Sequence, residues 1–284
     1  MRLTLIHAGY LKLDGGAMFG IIPKRMWEKL NPPDDKNLCT WSMRCLLIET
    51  ADRKILVDTG MGEKQDARFR AHFEPHGQLS IVESLAQHNI EAEDITDVFL
   101  THLHFDHCGG AIRSTPSVAS SPTLQPTFPN AKYWSNAQHW AWAMSPNPRE
   151  QASFFKENFV PLQDWGLLHF INDGEELTAG VKVHMQYGHT EAMMALEIKA
   201  GDKTFFYCAD TIPSAWHIHL PFVMAYDVRP LDTLKEKNAI LERAVTEGWY
   251  LIFEHDPIVE CARIKKTDTG RFVVDTTYEL KNLS

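Results

Sequence analysis

Residues 101–110 read THLHFDHCGG, with three histidines and one aspartate in the six positions from His102 to His107. Side chains this costly to bury are not gathered so tightly for packing alone. In extended chain His102 and His104 project to one side. Asp106 and His107 fall where FDHCGG must turn sharply, and Gly109 and Gly110 supply the backbone freedom. Adjacent residues of an extended chain point apart, so one compact metal sphere does not readily take all four side chains. Two neighbouring spheres do: His102 and His104 serve a first ion, Asp106 and His107 a second.

Each sphere is then incomplete, because zinc-like ions take about four or five ligands. The rest of the chain supplies candidates in a pattern. Predicted strands at 54–58, 97–101, 181–186, 204–209 and 249–254 each lead at their C-terminal end into a metal-type side chain: Asp58, His102, His189, Asp210 and His255. Loops at one end of a sheet are where sites are commonly built, since the sheet fixes their positions. His189 and His255 add one nitrogen each, and Asp210 has two oxygens with which to bridge. Seven protein ligands leave room for a shared hydroxide, the open position that distinguishes a catalytic site from a structural one. A donor set of imidazole and carboxylate without thiolate suits zinc, and equally iron, manganese or cobalt.

Composition bounds the remaining possibilities. The chain has 284 residues, 44% hydrophobic and 23% charged, and reads as one soluble globular domain over 1–284. Its net charge of −9 disfavours a nucleic-acid partner. No apolar run approaches the roughly 18 residues of a membrane span, and the N-terminus lacks the pattern of a secretory signal. Five cysteines without CxxC spacing point to reduced thiols and a cytoplasmic location. A Ser/Thr/Pro-rich stretch at 113–128 is expected to be an exposed loop. Further strands are predicted at 45–49 and 132–134, helices at 79–89, 135–144, 149–157 and 231–247, and a closing hairpin after Glu254. Strands interleaved with helices argue for an α/β sandwich.

These motifs resemble the metallo-β-lactamase fold superfamily: THLHFDHCGG, GHT at 188–190, AD at 209–210, EHD at 254–256 and ILVDTG at 55–60. The resemblance implies a four-layer αβ/βα sandwich with a dinuclear site along one edge. It places His102, His104 and His189 on one metal, Asp106, His107 and His255 on the other, and Asp210 between them. LDGGAMFGIIPKRMW (13–27), FPNAKYW (128–134) and MAYDVRP (224–230) are similar to the YtnP-type quorum-quenching lactonases. The 21-residue step from His189 to Asp210 is similar to that of N-acyl-homoserine-lactone lactonases. Those lactonases place a tyrosine three residues after the bridging aspartate, where it can contact the substrate carbonyl. Here the residue is Pro213, as in the YtnP-type group.

The implied activity is hydrolysis of a small-molecule lactone or ester by a hydroxide held between two divalent ions, with zinc the leading metal. In that scheme Asp106 hands a proton to the leaving alkoxide. A second donor to the oxyanion comes from His217, His219, Tyr187 or Tyr226. Asp58 is expected to hold a ligand histidine rather than a metal. Met18 and Phe19, within an N-terminal lining segment at 1–43, are candidate substrate contacts together with His217 and His219. Cys108 and Cys208 are read as small buried residues. Competing activities are an organophosphate or phosphodiester hydrolase, then a glyoxalase II-like thioesterase or a β-lactamase. Members of the family often pair, so a homodimer is expected.

Overall fold

A computed structural model describes residues 1–78, 80–115 and 123–283. The chain divides into two compact units, Met1–Tyr10 with Met43–Ile171, and Leu11–Ser42 with Asn172–Ser284. In chain order the first eight strands are β1 (Arg2–Asp14), β2 (Leu38–Glu49), β3 (Lys54–Val57), β4 (Asp97–Phe99), β5 (Ile112–Thr115), β6 (Thr123–Pro126), β7 (Lys132–Ser135) and β8 (Leu168–Phe170). Six of them form a mixed sheet in the order β1-β2-β3-β4-β7-β8. From β3 to β8 the neighbours run parallel, and strands covered on both sides read as short apolar runs such as the KILV of β3. Parallel pairing of Val57 with Phe99 sends the chain out of β3 and β4 at the same end, towards Asp58 and His102.

The second unit carries β9 (Glu176–Thr178), β10 (Val181–Gln186), β11 (Met193–Ala200), β12 (Lys203–Tyr207), β13 (Tyr250–Ile252), β14 (Cys261–Lys266) and β15 (Phe272–Tyr278). They lie in the order β15-β14-β13-β12-β11-β10-β9. β12 and β13 are parallel with Tyr207 opposite Ile252, while β11 is antiparallel to both β10 and β12. Strands β10, β12 and β13 therefore end on one edge of the sheet. The helix Pro230–Glu247 starts with Pro at its first turn and stops at Gly248, whose φ of 72° is left-handed. It buries Thr233, Lys237, Ile240, Leu241 and Ala244, a stripe at helical spacing. Trp249, beyond its end, stacks on Phe206 at 5.3 Å.

Three expectations need correction. The predicted helix at 149–157 is two short 3-10 turns, Gln151–Ser153 and Lys156–Asn158, with Phe154 extended between them. Packing of Phe154 on the His104 ring, 4.7 Å away, competes with helix propensity there. The ends of the expected 113–128 loop pair as the two-stranded ribbon of β5 and β6, and residues 116–122 of that loop lie outside the described ones, as does residue 79 of the predicted 79–89 helix. Strand β11 was not foreseen, because it is buried on both faces from Met193 to Ile198 and shows no alternation.

Candidate functional site

In the first unit, the chain leaves β4 through Thr101 into His102, and Phe105–Cys108 form one helical turn. This turn lies directly on the loop after β3. Thr59 donates to the His107 carbonyl through its backbone N (2.7 Å) and its hydroxyl (2.9 Å), and Gly110 N donates to Gly60 O. A Cβ at Gly109 would stand 2.1 Å from Met61 O, and one at Gly110 2.2 Å from Thr59 O. The paired glycines are therefore required by backbone contact, while Gly109 itself keeps an ordinary helical φ of −61°.

The three imidazoles of this turn are gathered closely. His102 lies 4.5 Å from His104 and 3.9 Å from His107 between ring centroids, and Asp106 Oδ2 lies 3.8 Å from His107 Nε2. Their outer edges are held by the fold. Asp58, fully buried and in a left-handed conformation (φ 58°), accepts the Thr101 N–H (2.8 Å) and the Thr101 hydroxyl (2.7 Å). Its Oδ2 is also 3.2 Å from His107 Nδ1. With the Thr101 proton directed to Asp58, Thr101 Oγ1 accepts from His102 Nδ1 at 3.1 Å. On His102 and His107 alike, the Nδ1 proton is thus held and Nε2 is an electron-pair donor.

Two further residues at this half escaped the sequence reading. Glu150, nearly fully buried, accepts from Trp142 Nε1 (2.8 Å) and Asn147 Nδ2 (2.7 Å) and approaches His104 Nε2 at 3.6 Å. His139 accepts the Leu103 N–H through Nε2 at 2.8 Å, fixing the backbone between the two histidines. No spacing in the sequence marks either. Cys108 is enclosed, its thiol donates to the Leu103 carbonyl at 3.3 Å, and burial pushes its pKa up to about 12.

In the second unit the three candidate ligands arrive with a common offset. Strand β10 ends at Gln186, β12 at Tyr207 and β13 at Ile252, and His189, Asp210 and His255 each follow three residues later. His189 sits on a loop pressed against the helix Pro230–Glu247, where a Cβ at Gly188 would lie 2.3 Å from Thr233 N. Asp210 occupies a 3-10 turn, Ala209–Thr211, with Ala209 at φ 45°.

Asp210 lies between the two imidazoles and turns a different oxygen to each. Oδ2 is 3.2 Å from His189 Nε2, and Oδ1 is 3.0 Å from His255 Nε2. The far nitrogens are committed: His255 Nδ1 donates to the Ser42 carbonyl at 2.7 Å, and His189 Nδ1 donates to Asp227 Oδ1 at 2.9 Å. Asp227 is itself buried, and its Oδ2 accepts from the Thr233 hydroxyl at 2.8 Å. It is another residue the sequence reading left without a role, since one carboxylate in a loop carries no spacing signal. In the neutral rings Nε2 then presents a lone pair to each carboxylate oxygen. Lone pairs so opposed repel unless a cation lies between them. Ligand atoms on one tetrahedral ion, about 2.0–2.2 Å from it, stand roughly 3.3 Å apart, which is close to both separations. The residues present therefore fit divalent cations.

The remaining predicted site residues lie elsewhere. His217 is buried with both nitrogens engaged: Nδ1 with Ser214 Oγ (2.7 Å), and Nε2 donating to Met18 O (2.9 Å). Burial pulls its pKa down to about 3, so it is a neutral packing residue stacked on Phe19 at 5.3 Å. Met18 and Phe19 are enclosed with Trp27, Trp41 and Met224 in an aromatic cluster. His219 is exposed and tilted against Phe222, and partial burial lowers its pKa. The carbonyl of Pro213 accepts the His255 N–H at 3.0 Å.

Comparison with known proteins agrees with this geometry. Residues 44–255 match the family model of the metallo-beta-lactamase superfamily. An N-acyl homoserine lactonase from Bacillus sp. is 28% identical over 272 residues, covering 90% of this chain and 93% of its own. A probable metal-dependent hydrolase from Staphylococcus aureus superposes with a TM-score of 0.85 at 25% identity, over 97% of this chain and 95% of its own. AidC, a dizinc quorum-quenching lactonase solved with a product N-hexanoyl-L-homoserine, has a TM-score of 0.79 at 19% identity, over 98% of this chain and 94% of its own. The sheets, the histidines and aspartates at the strand ends and the family match together identify the chain as a metal-dependent hydrolase that has the metallo-beta-lactamase fold and belongs to the metallo-beta-lactamase superfamily.

Proposed function

We propose that the two groups of side chains act as one dinuclear centre that opens the ring of a lactone, an N-acyl homoserine lactone by preference. The observation that carries the reading is Asp210, whose two oxygens face two imidazoles with committed outer nitrogens. His102, His104 and His189 would hold one cation and Asp106, His107 and His255 the other, with Asp210 shared. Zinc leads, and iron, manganese or cobalt suit the same donors. Such ions supply Lewis acidity, which acidifies water and polarises an ester carbonyl.

The protein's own residues do the rest. Asp58, Asp227 and the Ser42 carbonyl fix the tautomers of His107, His189 and His255, so that each ring offers Nε2 at neutral pH. Asp106 carries a proton to the departing alkoxide. With both nitrogens of His217 engaged, His219, Tyr187 and Tyr226 are left as side chains that can donate to the developing oxyanion. The lactone substrate class is supported by the relatives named N-acyl homoserine lactonase. We take the two compact units, with the 1–43 segment, to work as a single hydrolase, paired as a homodimer. The five cysteines are buried thiols, which suits the cytoplasm, and no described helix is long and apolar enough to cross a membrane.

The test is direct. Zinc-loaded protein is incubated with N-hexanoyl homoserine lactone, a paraoxon-type phosphotriester, a thioester and a cephalosporin. Lactone should be consumed with the mass gain of one water, and a chelator should stop it. Turnover of another class with the lactone left intact would overturn the substrate assignment. Full activity with fewer than two ions per chain would overturn the dinuclear one.

A further inference from the structure

We propose that a cleft in the first unit, beside the loop that follows His107, binds a small oxyanion of the carboxylate or phosphate class. The cleft has a volume of about 320 Å³, and Lys64, Arg113 and Thr127 line it together with Glu63. It stands out because the chain as a whole carries a net charge of −9, which repels anions, whereas two cationic residues line this cleft. Neither cation meets a carboxylate at ion-pair distance among the described residues. Glu63 is exposed at the edge.

Lys64, Arg113 and Thr127 each bring hydrogen-bond donors to this lining. Lys64 Nζ donates to the carbonyls of Gly109 and Ile112, which use two of its three N–H groups. Among the described residues Arg113 meets only a neutral partner: with the Gln125 amide turned so that its oxygen faces the guanidinium, that oxygen accepts from Nε at 2.8 Å and Nη2 at 3.1 Å. The buried hydroxyl of Thr127 has no hydrogen-bond partner among the described residues. An ammonium, a guanidinium and a hydroxyl on residues that line one cavity match a ligand of several acceptor oxygens carrying negative charge. Enclosure agrees, since it lowers the Lys64 pKa to about 8, a desolvation that an anion offsets. The carbonyls gripped by Lys64 belong to the segment running on from His107, so occupancy would brace that loop.

Full-length zinc-loaded protein can be titrated calorimetrically with sodium sulfate and, separately, sodium acetate, at ionic strength held constant with sodium chloride. Saturable binding near one ion per chain is expected, weakened at least tenfold in Arg113→Gln and in Thr127→Val. Lactone kcat/KM and zinc content should be unchanged in both. Binding of sulfate alone would assign the phosphate class, and of acetate alone the carboxylate class. If neither ion saturates, or if both variants bind as the wild type does, the ions are taken up at the metals or non-specifically and the proposal is wrong. Because the readout is binding, failure of the lactone assay leaves it untouched.

Discussion

His189 and His255 on one side, and His217 on the other, are three buried imidazoles of the same unit with opposite fates. His217 spends both nitrogens on the chain, one on Ser214 Oγ and one on the Met18 carbonyl. The other two spend only Nδ1 and turn Nε2 towards Asp210. Burial alone therefore does not distinguish a ligand from a packed ring. The partner of the second nitrogen does, because it sets which nitrogen holds the proton and where the lone pair points.

The sharpest way to break this contrast is to remove its centre. Asp210→Asn keeps the shape but removes the negative charge and leaves one acceptor oxygen where there were two. It should abolish measurable lactone turnover and lower zinc content, both read on one preparation by kinetics and elemental analysis. A variant still active with two ions per chain would end the bridging role. Next in size is Asp227→Asn, which leaves His189 in place but loosens its tautomer. A loss of roughly 10–100-fold in zinc affinity or kcat is expected, measured by competition with a chromophoric chelator. Full retention of both would mean that Asp227 does no more than tether the Thr233 hydroxyl.

A smaller effect is expected from His217→Phe, which keeps the stack on Phe19 and deletes both hydrogen bonds. Zinc content should hold while urea unfolding reports a loss of about 1–3 kcal/mol, the cost of leaving the Met18 carbonyl and Ser214 unpaired. Loss of zinc at unchanged stability would erase the distinction between the two kinds of histidine. The same variant also reads out acid dependence. Because burial holds the folded pKa of His217 near 3, below the ordinary histidine value of 6.5, the unfolded chain takes up the proton first as pH falls. Stability from this group is complete above about 6.5 and declines between there and about 3. The melting temperature of His217→Phe should accordingly fall less steeply over that window than that of the wild type. Parallel slopes would remove His217 from the acid response.

Much of this site was legible because it is written locally. The HxHxDH run lies within six residues, and the paired glycines after it declare a turn. The strand ends at Gln186, Tyr207 and Ile252 could be placed to within a few residues from apolar runs, and with them the three candidate ligands that follow. The helix at 149–157 failed for the converse reason: Phe154 is drawn to the His104 ring, a contact that local propensity does not contain. Strand β11 hid because its burial on both faces removes the period that marks a half-buried strand.

The sequence by itself determined the donor chemistry, four candidate ligands within six residues and three more just beyond strand ends, since these follow from residue type and short-range backbone geometry. Only the tertiary structure decided how the donors are aimed. Asp227 holds His189 from 38 residues away, Asp58 reaches His107 across 49, and the Ser42 carbonyl holds His255 across 213. A proton on one imidazole nitrogen rather than the other is settled by whichever acceptor the fold brings to it, and over such separations no pattern in the chain announces that acceptor.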